Sequence, residues 1–426
     1  MSDLPVGWVA TTLGTVTCPV RKVVTPRSDE RRPYVGMEHV EPHSTKIIGF
    51  GKASELRSGT AAFGPGDTLY GRLRPYLNKV AVADFEGLAS AEFMIFQPTP
   101  LLAPKFLMYF LNRPSFVEYA SHLNEGDRPR VKWDQIRSCP FLLPPLTQQC
   151  RIVAAIEEHF SRLDEAQRLL CDARRGVACL RSSALDAVTP QDGKWTTLGD
   201  IADIVGGVTK DSKRQADPSF VEVPYLRVAN VQRGFLDLRE ITTIRVAPER
   251  AKALKLEPGD ILFNEGGDRD KLGRGWVWQG QIEECIHQNH VFRARLLTDK
   301  FEPKYVSLHG NTYGQQWFER MGRQTTNLAS INLRTLKAFP VPDLPVDTQR
   351  RIVTDVEREL TILEAISTAI DHALMRTGHL RRSILERAFS GQLVPHDPSD
   401  EAAGGSPGLG RSAPPRPSPN GGRRHE

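Results

Sequence analysis

Apolar residues recur at steps of three and four from Ile152 onward: Ile156, Phe160, Leu163, Ala166, Leu170, Ala173, Val177, Leu180 and Ala184. That spacing is one face of a helix, and charged residues fill the other face. Pro144-Pro145 ends a preceding strand, and Thr147 is the expected N-cap. The pattern predicts one helix to about Val188, some forty residues or roughly 60 Å at 1.5 Å per residue. Gly176 lies inside it and marks a candidate bend. A second stripe runs through Ile352, Val356, Leu360, Leu363, Ile366, Ile370, Leu374, Leu380, Ile384 and Ala388, and Gly391 ends it.

The two stripes are copies. Pro140, Pro145, Gln149, Arg151, Ile152, Val153, Glu157, Leu163, Ala173, Leu180, Arg181, Ser183 and Leu185 recur 200 positions later, from Pro340 to Leu385, without a gap. Similar pairs such as Asp164/Glu364 fill in between. A self-match at fixed offset outranks other signals.

The flanking parts change period. Val35-Gly36-Met37, Asp67-Thr68-Leu69-Tyr70 and Phe93-Met94-Ile95-Phe96 are short β-prone runs separated by Gly and Pro. One clear helix is expected from Pro104 to Tyr119. Beyond the linker Pro190 to Gly193, Thr196-Thr197-Leu198-Gly199 echoes Thr11-Thr12-Leu13-Gly14, an offset of 185. Tyr225-Leu226 echoes Tyr34-Val35. Gly259-Asp260-Ile261-Leu262-Phe263 echoes Gly66-Asp67-Thr68-Leu69-Tyr70, an offset of 193. The globular parts share a frame and differ by insertions, while the helices match without gaps. The expected class is α+β: two mixed, mostly β domains separated by two long helices that pack as an antiparallel coiled coil, with a pseudo-two-fold internal repeat. The expected segments are 1–145, 146–190, 191–345, 346–395 and a Pro/Gly/Ser/Arg-rich disordered tail, 396–426.

Composition narrows the partners. A chain of 426 residues exceeds one ordinary core. Its net charge of +5 permits a nucleic-acid partner without requiring one. No window approaches the roughly 20 apolar residues of a membrane span, and no secretory signal opens the chain. Six cysteines without Cys-x-x-Cys suit reduced cytosolic thiols rather than a zinc or disulfide framework.

Candidate chemistry lies in loops. Arg72, Arg74, Tyr76 and Lys79 follow a β-prone run, a basic and aromatic set suited to phosphate and base contact. Arg128, Arg130 and Lys132 form a second basic loop. In the second globular part, Lys210, Lys213 and Arg214 form a polar loop. Arg269, Lys271 and Arg274 lie in a Gly-rich hairpin that lacks the spacing of a phosphate-binding loop. Gln288 or Asn289 suits a bidentate pair with adenine. His287 and His290 lack an obvious third metal ligand, and no metal is expected. Neither the tetrapeptides that grip an amine for methylation nor a Gly-rich S-adenosylmethionine turn occurs. Glu302-Pro303-Lys304 matches a nuclease fragment but has no fitting acidic partner, so no catalytic residue is assigned.

These residues resemble a known family. Pro145-Leu146-Thr147-Gln148-Gln149-Cys150-Arg151-Ile152-Val153, its copy Leu344 to Val353, and the closing run Leu380 to Leu393 are similar to the specificity subunit of type I DNA restriction-modification enzymes. The resemblance covers nearly everything from Trp8 to Pro395. It implies two target recognition domains, each reading one half of a split, asymmetric site in double-stranded DNA. The helices would set the spacer and dock two modification (methyltransferase) subunits; two restriction subunits complete the enzyme. S-adenosylmethionine, ATP and Mg²⁺ would belong to those partners, and this chain would catalyse nothing. Competing readings are a self-sufficient methyltransferase or nuclease, and a scaffold that pairs two other proteins without DNA.

Overall fold

A computed structural model describes residues 4–20, 22–56, 59–124, 126–190, 192–210, 217–267, 271–324 and 329–400. The chain divides into two compact units, Met1–Leu170 with His372–Glu426, and Cys171–Asp371. The division cuts both long helices, so each unit holds a globular part and half of each helix.

In the first unit, Val9–Thr12 pairs antiparallel with Pro140–Leu143, which brings the ends of the globular part together. A four-stranded antiparallel sheet follows the order Pro19–Val20, Phe93–Phe96, Thr68–Gly71, Val80–Val82. A five-stranded sheet contains one parallel pair, Pro33–Val35 against Gly87–Ala89. The long apolar run after residue 103 forms two helices, Pro104–Asn112 and Pro114–Ser121, not the single one expected. Pro114 has no N–H to continue the ladder and holds Arg113 extended (ψ 146°), so the run breaks there.

The second unit repeats this plan. Trp195–Thr197 pairs with Pro340–Pro342, and Thr197 meets Pro340 as Thr12 meets Pro140. A four-stranded antiparallel sheet has the order Ala202–Gly206, Val291–Leu296, Ile261–Asn264, Gly275–Val277. Val221–Leu226 and Ile286–His287 form the parallel pair, so the echo of Tyr34-Val35 in Tyr225-Leu226 is structural. The turns before Thr68 and Ile261 match atom for atom. Gly66 and Gly259 have φ of 87° and 96°, a region that favours glycine. Asp67 and Asp260 each accept the backbone N–H three residues back, at 2.9 and 2.7 Å.

The central helix spans Leu146–Asp186, 41 residues, and runs uninterrupted through Gly176. The C-terminal helix spans Val346–Phe389, 44 residues. Thr147 is not the N-cap. It lies in the first turn, its hydroxyl donates to Asp400 at 2.6 Å, and the Gln149 N–H already bonds the Pro145 carbonyl. Arg151 also pairs with Asp400, so ordered chain reaches past residue 396, where the tail is expected to begin. The disorder expected for 401–426 lies outside the described residues.

Within each unit the two helix halves run antiparallel. In the first, Ile152, Ile156, Leu385, Ala388 and Phe389 share one core, and Arg381 pairs with Asp164 while covering the Phe160 ring. Phe389 packs against Phe106 with ring centroids 4.8 Å apart, and burying such a ring contributes about 2–3 kcal/mol. In the second, Arg181 pairs with Glu364 at 3.5 Å, and Leu185 and Val188 pack with Val353, Val356 and Leu360. Arg181–Glu364 and Arg381–Asp164 are one contact made twice, with the copies exchanged.

Candidate nucleic-acid interface

The first unit brings its two basic loops together. Strand Thr68–Gly71 leads into Arg72, whose backbone N–H donates to the Glu92 carbonyl and whose carbonyl accepts from Val131, at 2.9 and 3.0 Å. The Arg74 N–H donates to the Pro129 carbonyl at 2.8 Å, and Leu73 bridges Arg130. Residues 71–79 and 126–132, far apart in sequence, therefore form one surface. The Glu92 carboxylate lies between two guanidinium groups, 3.4 Å from Arg72 Nε and 3.1 Å from Arg130 Nε. It keeps the two cations close, although like charges repel, and leaves the surface positive.

Other expected residues divide by their surroundings. Arg74 (φ 52°) and Asn78 (φ 47°) are left-handed and bracket the turn Pro75–Leu77. Non-glycine residues there cost on the order of 1 kcal/mol or more, met in part by the Asn78 side chain bonding the Asn112 carbonyl at 3.0 Å. The turn exposes Tyr76, 45% accessible, at its tip. Arg128 and Lys132 are exposed. Lys79 turns inward instead, and its ammonium donates to the Met37 carbonyl at 2.6 Å. Burial lowers its pKa below the usual lysine range.

In the second unit, Lys210 is exposed. Lys213, Arg214 and Arg269 lie outside the described residues. Lys271 and Arg274 are half-buried on the hairpin between Ile261–Asn264 and Gly275–Val277. Arg274 is partly occupied with its own chain: Nη2 donates to the Val228 carbonyl at 3.5 Å, and its carbonyl accepts from Asn264.

Residues 287–290 are held from both sides. The Val208 N–H donates to the His287 carbonyl and the Asn289 N–H to the Val208 carbonyl, both at 2.9 Å. Gly207 makes this approach possible, since a Cβ there would lie 1.9 Å from the His287 oxygen. The Gln288 N–H donates to Leu226. His287 is fully buried, its Nδ1–H donating to the Val291 carbonyl at 2.6 Å; burial pulls its pKa down to about 4 and keeps the ring neutral. His290 faces outward to Glu265, Nδ1 to Oε2 2.5 Å, and Asn289 Nδ2 lies 3.3 Å from His290 Nε2. The two histidines thus have separate partners.

Glu92, Glu265 and His290 shape these surfaces without being among the expected contact residues. A signal existed: Glu265 lies 193 positions after Arg72, the offset of Gly66 and Gly259, and so takes the frame position of Arg72. The nuclease-like tripeptide is structural. The Glu302 N–H donates to Gln349 Oε1 and Lys304 pairs with Glu357 at 2.6 Å.

No family model matches the chain. The chain is 22% identical over 316 residues to the type I restriction enzyme EcoKI specificity subunit of Escherichia coli K12, covering 70% of this chain and 68% of that one. It is 23% identical over 317 residues to the StySPI specificity subunit of Salmonella potsdam, covering 70% and 67%. In fold it is similar to the HsdS subunit of Thermoanaerobacter tengcongensis, with a TM-score of 0.66 at 21% identity over 92% of this chain and 98% of that one. A chain from a type I restriction-modification assembly gives a TM-score of 0.70 at 21% identity, covering 92% and 100%. The chain is thus similar, in sequence and in fold, to specificity subunits of type I restriction enzymes.

Proposed function

We propose that this chain is the DNA sequence-recognition subunit of a type I restriction-modification enzyme. Each globular domain reads one half of a bipartite, asymmetric site. The two long helices set the unread spacer between the halves and dock methyltransferase subunits. The chain's role is recognition rather than catalysis. One observation carries the reading: two four-stranded sheets of the same strand order, with the same backbone contacts at their loops, carry different loop chemistry. Arg72 and Glu92 in one frame are replaced by Glu265 and His290 in the other. A shared frame with divergent loops suits two readers of different base sequences. Helices whose copies align without a gap suit a separation that cannot drift.

The contacts divide by chemistry. Arg72, Arg128, Arg130, Lys132 and Lys210 are assigned to phosphates, which position without specifying sequence. Tyr76, Gln288 and Asn289 are assigned to base edges. Modification and restriction subunits, two of each, complete the enzyme in the prokaryotic cytoplasm. S-adenosylmethionine, ATP and Mg²⁺ belong to those subunits. No described helix is long and apolar enough to cross a membrane.

The test is methylation mapping in cells that express this chain with its methyltransferase partner. A bipartite adenine-methylated motif is expected, and exchanging residues 1–145 for those of a relative should change one half only. A continuous motif, or changes in both halves, would overturn the assignment.

A further inference from the structure

Glu265 and His290 occupy the frame positions of Arg72 and Glu92. The Glu265 N–H donates to the His290 carbonyl at 2.9 Å, as that of Arg72 does to Glu92. Ile331 donates to the Glu265 carbonyl at 2.8 Å, as Val131 does to Arg72. The first unit uses this place to gather cations. The second builds a line of hydrogen bonds there.

An ionised Glu265 can only accept, so the proton between Oε2 and His290 Nδ1 belongs to the ring. In the Nδ1–H tautomer Nε2 is bare, and it accepts one N–H of the Asn289 amide, whose Nδ2 lies 3.3 Å away. That bond decides which end of the amide is nitrogen. The second Nδ2–H and Oδ1 remain side by side, a donor beside an acceptor, matching N7 and the N6 amino group of adenine. The pinned backbone of Asn289, against Val208, keeps this pair from drifting.

We infer that Glu265 and His290 are positioning residues that hold the Asn289 amide in one orientation for reading the edge of an adenine. The inference rests on the DNA-reading assignment above. Had His290 carried a proton on Nε2, N–H would face N–H, and the amide would turn over and present the opposite pattern.

The test uses the full chain with its methyltransferase partner and maps the methylated motif for each variant. Asn289→Ala, His290→Ala and Glu265→Ala should relax the same single position of one half-site, by about 5- to 150-fold in discrimination. The other half should be untouched. Glu265→Gln keeps an acceptor for Nδ1–H and should retain the preference. For His290→Ala and Glu265→Ala, thermal unfolding and salt-dependent binding to random duplex should stay at wild-type values, which a merely structural role would shift. Wild-type motifs from His290→Ala and Glu265→Ala would sink the relay alone, as would a lowered unfolding midpoint with methylation lost evenly at all positions. Absence of any bipartite motif from the wild-type complex would sink the DNA-reading assignment, and the relay with it.

Discussion

Gln149 Oε1 accepts the backbone N–H of Ala103 at 2.9 Å, while its Nε2 donates to the Leu101 and Pro144 carbonyls. Gln349 repeats the set with Glu302, Lys300 and Leu344. Both glutamines are fully buried, so each fastens the first turn of a long helix to the loop before a short one. Gln149→Ala would leave one part-buried N–H and two carbonyls without this partner, and about 2–3 kcal/mol of stability should be lost. Denaturant unfolding measures it; a loss below about 1 kcal/mol would mean that water or neighbours replace the amide. Gln349→Ala should cost a similar amount.

Lys79 and Arg128 were expected to act alike, and the structure separates them. Arg128→Ala should weaken binding of the assembled complex to every duplex and lower the salt slope by about one. Lys79→Ala removes the bond to Met37 and should lower the unfolding midpoint while leaving the salt slope unchanged. A reduced slope for Lys79→Ala would show that its ammonium reaches phosphate after all.

His309 gives the second unit an acid limit. Nε2–H donates to the Pro340 carbonyl at 3.0 Å, Nδ1 accepts the Thr189 hydroxyl at 2.9 Å, and the ring stacks on Tyr313. Burial lowers its pKa to about 4, and that of His287 likewise. Unfolded histidine takes a proton near 6.5, so the unfolded state binds more protons between the two values. Stability is fully present above about pH 6.5 and is lost as pH falls toward about 4. The loss is on the order of 2–3 kcal/mol per ring. Unfolding midpoints from pH 8 to 4 should drop through this window, and His309→Gln should flatten the drop by about one proton. A pH-independent variant difference would assign the ring a packing role only.

The spacer reading needs matched changes. Residues after Leu170 pair with the first half of the C-terminal helix, as Arg174 does with Asp371 at 3.7 Å. Four residues inserted after Leu170 alone would slip that register. Four inserted after both Leu170 and Asp371 should keep both half-sites and lengthen the unread spacer in the methylated motif. An unchanged spacer would refute the ruler.

Much of this was legible in the chain. The period of 3.6 and the gapless copies marked both helices to within a few residues, because a long amphipathic face repeats one local rule many times. The echoes of Gly66-Asp67 in Gly259-Asp260 marked equivalent turns, because positive φ and a short carboxylate demand those residues. The break at Pro114 was present in the sequence but was outweighed by the apolar run around it. What the sequence did not contain was proximity. Glu92 meets Arg130, Asp400 meets Arg151, and Lys79 turns in to Met37. Each contact joins residues more than thirty positions apart, and no local period encodes such a distance. Sequence alone thus determined the repeated frame and the family it resembles. Only the tertiary structure decided which charged side chains are held by other groups of the chain and which face solvent, because pairing and burial are set by what the fold places alongside.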